Sequence, residues 1–120
     1  MRKLFRSYLV ALSGISFAIR TQGHMRIHLF AAIVACGLGW YVALKPLEWA
    51  ILLLTIAVVL SAEMINTAVE QAVNLASPDI HPVAKIAKDV AAGAVLIAAT
   101  ISAVIGLLII GPPFWHLLFK

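Results

Sequence analysis

EWAILLLTIAVVLSAEMINTAVEQAVN, residues 48–74, decides the fold. Its run from Trp49 to Ala62 is free of charge, and at 1.5 Å per residue it covers roughly 20 Å of helix. A bilayer core is ~30 Å thick. A spanning helix must therefore continue through Glu63, Asn66 and Glu70, which places polar groups inside or just below the lipid interface. These three residues stand at i, i+3 and i+7, and Asn74 follows at i+11, so all four share one helical face. A carboxylate in a membrane span costs about 2.5–3.5 kcal/mol on insertion scales, and it normally faces a partner or a watered cavity.

The rest of the chain fits a lipid solvent. Of its 120 residues, 63% are hydrophobic and 12% charged, with a mean hydropathy of +1.05. A soluble chain of this length has too large a surface for its volume to hide so much apolar area. Outward from the central segment, Lys45 and Pro46 close a first apolar stretch that runs from about residue 27 to 44, with His28 at its mouth. On the other side SPDIHP (77–82) forms a break. A third span then runs from about 84 to 111 and carries Lys85, Lys88 and Asp89 in its first turns. Gly111, Pro112 and Pro113 are expected to break it. Ahead of these elements, residues 2–20 mix basic and apolar residues at helical spacing and read as an amphipathic surface helix. The expected fold is all-α and integral to the membrane, with one surface helix and three spans in a single domain.

Charge sets the expected orientation. Arg2, Lys3, Arg6, Arg20, Arg26, Lys85 and Lys88 fall on one side, and Lys45 and Lys120 on the other. The positive-inside rule puts the seven, the N-terminus and the 77–82 loop in the cytoplasm, and the C-terminus outside the cell membrane. The basic residues form no aromatic-interleaved stripe, so nucleic acid is not an expected partner. Anionic headgroups and nucleotide phosphates fit better. One cysteine, Cys36, excludes a disulfide framework within the chain. His28 and His116 at the ends of apolar segments read as interfacial hydrogen-bonding groups rather than metal ligands.

Two glutamates, an asparagine, two lysines and an aspartate at one membrane depth suit phosphoryl transfer to a lipid. One carboxylate takes a proton from the lipid hydroxyl, while a second carboxylate and an amide hold Mg²⁺ and a lysine neutralises phosphate oxygens. Alignment and charge neutralisation are most of what that reaction needs. Two other readings compete: a Glu63–Lys88 ion pair and an Asn66 hydrogen bond that merely fix helix register, and a proton or ion conduit.

AEMINTAVEQAVN (62–74) and HPVAKIAKDVAAGAVL (81–96) closely resemble the signatures of prokaryotic diacylglycerol kinases, and MRIHL (25–29) extends the likeness towards the N-terminus. The version here looks most like the undecaprenol kinase branch of Gram-positive bacteria. The resemblance implies a homotrimer with sites shared between subunits, ATP as donor, and undecaprenol as acceptor. Diacylglycerol kinase activity and a degenerate, non-catalytic scaffold of the same fold are the alternatives. It makes Glu63 the general base, Asn66 a neighbour that positions the reacting groups, and Glu70 a ligand of Mg²⁺. It assigns Lys88 and Asp89 to the nucleotide phosphates, Asp79, Ile80 and His81 to a loop that contacts the nucleotide, and Lys3, Arg2 or Arg6 to a basic contact from the surface helix. Two positions depart from the family pattern. Gln22 stands where a second metal-binding glutamate is usual, and Asn74 where aspartate is usual. Gln22 offers a carbonyl oxygen without charge, so Mg²⁺ is expected to bind more weakly.

Overall fold

The computed structural model describes residues 1–120, and it is entirely helical: α1 (Arg2–Thr21), α2 (Gly23–Tyr41), α3 (Pro46–Ala76) and α4 (Pro82–Leu118). Two of the helices, α3 and α4, are long and apolar enough to cross a membrane. The 19-residue α2 carries His24, Arg26 and His28 in its first two turns, which lowers the hydropathy of a helix that is otherwise apolar from Leu29 to Trp40. Only 13 of the 120 residues are buried, and large side chains such as Phe30, Leu54 and Leu107 point outward. Such a surface is stable against lipid or neighbouring apolar chains, not against water.

The joints explain how the helices are set. Between α1 and α2 the chain kinks at Gln22, whose backbone is extended (φ −112°, ψ 112°). The Arg26 guanidinium donates to the carbonyls of Ile19 and Arg20 at 2.9 and 3.0 Å. Those are among the last α1 carbonyls that no helical N–H reaches, so Arg26 satisfies them while its charge complements the helix C-terminus. The α1–α2 elbow is thereby stiffened.

The first apolar stretch ends earlier than Lys45–Pro46 suggest. Leu44 N–H donates to the Gly39 carbonyl at 3.1 Å and Ala43 N–H to that of Trp40 at 3.2 Å, with Ala43 at φ +57°. This is a Schellman closure, whose left-handed position usually holds glycine. The helix therefore stops at Tyr41. The next helix starts at once: Pro46 occupies its first turn, and the Lys45 N–H donates to Glu48 Oε1 at 2.9 Å. The resulting tight hairpin sets α2 and α3 antiparallel.

At this hairpin end, Val42, Leu44, Leu52 and Ile110 form the apolar core, and Trp49 and Phe114 pack against it. That packing also overrides the expected break at Gly111–Pro113. α4 runs through Pro112 and Pro113 to Leu118. Each proline removes one N–H from the ladder, yet its fixed φ is compatible with a helix. Phe114 is held against the core cluster and stacks edge-on with Tyr41, with ring centroids 6.5 Å apart. These contacts offset the missing hydrogen bonds.

Along α3 the buried residues are Leu52, Thr55, Val59, Glu63, Asn66 and Thr67. Their spacing of three or four marks a single stripe. It is mostly apolar near the hairpin and polar towards the α3–α4 loop. Ser102 on α4 donates to the Thr55 carbonyl at 3.3 Å, and Lys88 donates to Asn74 Oδ1 at 2.6 Å. Together these fix the antiparallel register of α3 and α4. Ala43→Gly should raise the unfolding midpoint in detergent by the equivalent of about 1 kcal/mol, because glycine takes the left-handed position without a Cβ clash.

Candidate functional site

Glu63 lies at the middle of the site because the core stripe of α3 passes through it. The residue is 1% exposed, and its Oε2 has no hydrogen-bond partner. Asn66, one turn on, is also buried, and its Oδ1 is likewise unpartnered. Its amide nitrogen donates to Glu70 Oε1 at 3.3 Å, so Asn66 links the buried carboxylate's neighbourhood to the half-buried Glu70. Thr67 is turned inward but bonds back to the Glu63 carbonyl at 2.9 Å. Buried acceptors without donors are costly in a protein interior, and two together mark a place prepared for a ligand.

Glu63 and Asn66 line a cavity of about 350 Å³ that is closed by His24, His28, Ala92 and Val95, among others. A second and larger cavity, about 670 Å³, runs between α2, α3 and α4 from His28 down to Phe114. Its walls are almost wholly apolar, with Ala31, Ala35, Ala103 and Gly106 leaving the room. His28 and Ala99 border both cavities. The smaller cavity, largely apolar but holding Glu63 and Asn66, thus adjoins a long apolar groove.

The nearest ionisable group to Glu63 is His28, with Nε2 3.8 Å from Oε2. From sequence alone His28 reads as an interfacial group. The two residues are 35 positions apart, and only the α2–α3 hairpin brings them together. Conversely, the Glu63–Lys88 ion pair does not form. Lys88 bonds Asn74 instead, and Asn74 lies eleven residues beyond Glu63, roughly 16 Å along the helix. Lys85, the other expected partner of the α3 stripe, pairs with Asp89 on its own helix at 2.7 Å.

The hairpin also sets levels. With His28 opposite Glu63, Gln22 six residues earlier and Glu70 seven residues later both lie ~9–10 Å towards the α3–α4 loop. Lys88 and Asp89, about two turns into α4, lie near the same level. Gln22 does not line the Glu63 cavity; its side-chain nitrogen lies 3.5 Å from the Thr21 hydroxyl. In the loop, His81 caps α4, its Nδ1 accepting from Val83 N–H at 3.1 Å. Asp79 accepts the Ser77 hydroxyl on its backbone carbonyl, and Ile80 is fully exposed. Lys3, near the start of α1, is exposed and is not joined to these groups in a single chain. No three His, Cys, Asp or Glu side chains converge on one point.

The model for the prokaryotic diacylglycerol kinase family matches residues 9–110. The chain belongs to this family. It is 42% identical over 112 residues to undecaprenol kinase of Bacillus subtilis (strain 168), covering 93% of the chain and 91% of that protein. It is 38% identical over 116 residues to diacylglycerol kinase of a Synechocystis species, covering 96% of the chain and 66% of that protein. Diacylglycerol kinase of Helicobacter pylori (strain 26695) is 32% identical over 96 residues, or 80% of the chain and 75% of that protein. As a member of the family the chain is a membrane-associated lipid kinase.

The Lys88–Asn74 contact gives a direct check on the loop end of the site. Asn74→Asp should convert it to an exposed ion pair and stabilise the fold by less than about 1 kcal/mol, with the gain lost at high salt. Thermal unfolding in detergent at two salt concentrations measures this.

Proposed function

We propose that the chain transfers the γ-phosphoryl group of ATP to the hydroxyl of undecaprenol, giving undecaprenyl phosphate. The observation that supports it most is the buried Glu63 carboxylate, its Oε2 unpartnered, in a small cavity that adjoins a long apolar groove. A long hydrocarbon chain laid in the groove brings its terminal hydroxyl to Glu63. The carboxylate accepts the hydroxyl proton as the oxygen attacks the γ-phosphorus, and ADP leaves with the bridging oxygen. Asn66 sits one turn away and orients the reacting groups. Lys88 and Asp89 meet the nucleotide phosphates at the loop end, with Asp79, Ile80 and His81 alongside and Lys3 supplying a basic contact from α1.

The donor set suits magnesium. Glu70, Asn66 and Gln22 offer hard oxygens, and Mg²⁺ is commonly held by one or two carboxylates together with substrate phosphates rather than by a full protein cage. Glu70 is the charged ligand and Gln22, at the same level, a neutral one. When bound, Mg²⁺ neutralises charge on the transferring phosphate. Within the membrane, α2 makes a third crossing beside α3 and α4, the N-terminus and the 77–81 loop face the cytoplasm, and three copies form a homotrimer that covers the polar faces. Diacylglycerol is the second acceptor, a reading favoured by the names of the Synechocystis and Helicobacter relatives.

Purified protein in micelles with labelled ATP and Mg²⁺, offered undecaprenol and diacylglycerol in parallel, tests the reading. Label should enter undecaprenol faster; transfer to neither lipid would refute a kinase. Glu63→Gln should lower kcat by about 10²–10⁴-fold, the usual worth of a general base, with ATP binding intact. Gln22→Glu should shift the Mg²⁺ dependence to lower concentration. An unchanged magnesium curve would show that Gln22 is not a ligand.

A further inference from the structure

His28 has no role in the scheme above, yet it is the polar residue shared by both cavities. Its Nε2 lies 3.8 Å from Glu63 Oε2, with the two side chains 20% and 2% exposed. That separation is too long for a direct hydrogen bond. It is short enough that a single oxygen within hydrogen-bond reach of both groups bridges them. An alcohol arriving along the apolar groove meets this gap first, because the groove ends at His28.

We propose that His28 is an acceptor-binding residue, its Nε2–H donating to the lipid hydroxyl oxygen while the hydroxyl proton points to Glu63. The inference rests on the reading of Glu63 as the base. A hydroxyl oxygen has two lone pairs. With its proton directed to Glu63 Oε2 and one lone pair accepting from His28, the second lone pair is left to attack phosphorus. The proton passes to Glu63, and the imidazole keeps its own throughout. A terminal alcohol is thereby held in one rotamer, and a chain lacking a hydroxyl at that depth gains nothing from either group. The physical basis is pre-organisation: misplacing a reacting atom by about 1 Å can cost a factor of 10².

Other neighbours do not supply this contact. Asn66 directs its amide nitrogen to Glu70, Thr67 bonds back to the α3 backbone, and Lys88 lies beside Asn74 at the loop end, about three turns from Glu63. His24 lines the Glu63 cavity but not the groove.

The test uses the full chain in micelles with undecaprenol, ATP and Mg²⁺. His28→Leu should lower kcat/KM for undecaprenol about 10- to 100-fold while leaving KM for ATP and the unfolding midpoint near the parent values. His28→Gln, whose amide N–H can donate, should recover a substantial part. In the unmodified protein without ATP, adding undecaprenol should move the imidazole ¹⁵N resonance of His28 Nε2 in its protonated tautomer. Parent-like kinetics in His28→Leu would overturn the proposal, as would equal losses in the leucine and glutamine variants with no ¹⁵N response. Full activity of Glu63→Gln would instead strike the base assignment, and the two failures are therefore distinguishable.

Discussion

A carboxylate buried on the core face of an apolar helix is the constraint on which the rest of this molecule depends. Glu63 interrupts a stripe that would otherwise pack like any other helix seam, and the chain does not neutralise it with a lysine. The nearest cationic candidate is an imidazole, held just beyond hydrogen-bonding distance. An unsatisfied acceptor of this kind destabilises the resting fold by roughly 1–3 kcal/mol, more when charged. Its persistence is intelligible when the missing donor is the substrate.

The surrounding architecture follows from holding that group in place. A tight α2–α3 hairpin, closed by a Schellman turn at Ala43 and a proline-started α3, brings His28 opposite Glu63. The hairpin core also grips Phe114 and so carries α4 through two prolines. The apolar core cluster lies at that end. The polar stripe, the Asn66–Glu70 bond and the Lys88–Asn74 contact occupy the other.

Relationship and geometry support each other without being interchangeable. Similarity over nearly the whole chain establishes the family. It does not say how Glu63 is partnered here, nor why a glutamine at the α1–α2 joint stands level with Glu70. Those follow from antiparallel helices at 1.5 Å per residue and the His28–Glu63 approach. Under the proposed function the neutral Gln22 leaves Glu70 as the charged oxygen donor, so Mg²⁺ would depend more on nucleotide phosphates.

Much was legible in the sequence because helical periodicity and hydropathy are local. The helical class, the two long apolar helices, the break at 77–81 and the one-sided alignment of Glu63, Asn66 and Glu70 all follow from spacing within single segments. What could not be read was pairing between segments. Lys88 looked like the partner of Glu63 because both are charged and near a common loop, but the register set by Ser102 and Asn74 places them about three turns apart. His28 looked interfacial because one histidine at a helix start has no pattern. Pro112 and Pro113 looked like a stop because the packing of Phe114 that sustains the helix lies on other elements. Sequence fixes what each helix face offers. Only the tertiary fold decides which faces meet, because register between helices is set by turns and by side chains distant in the chain.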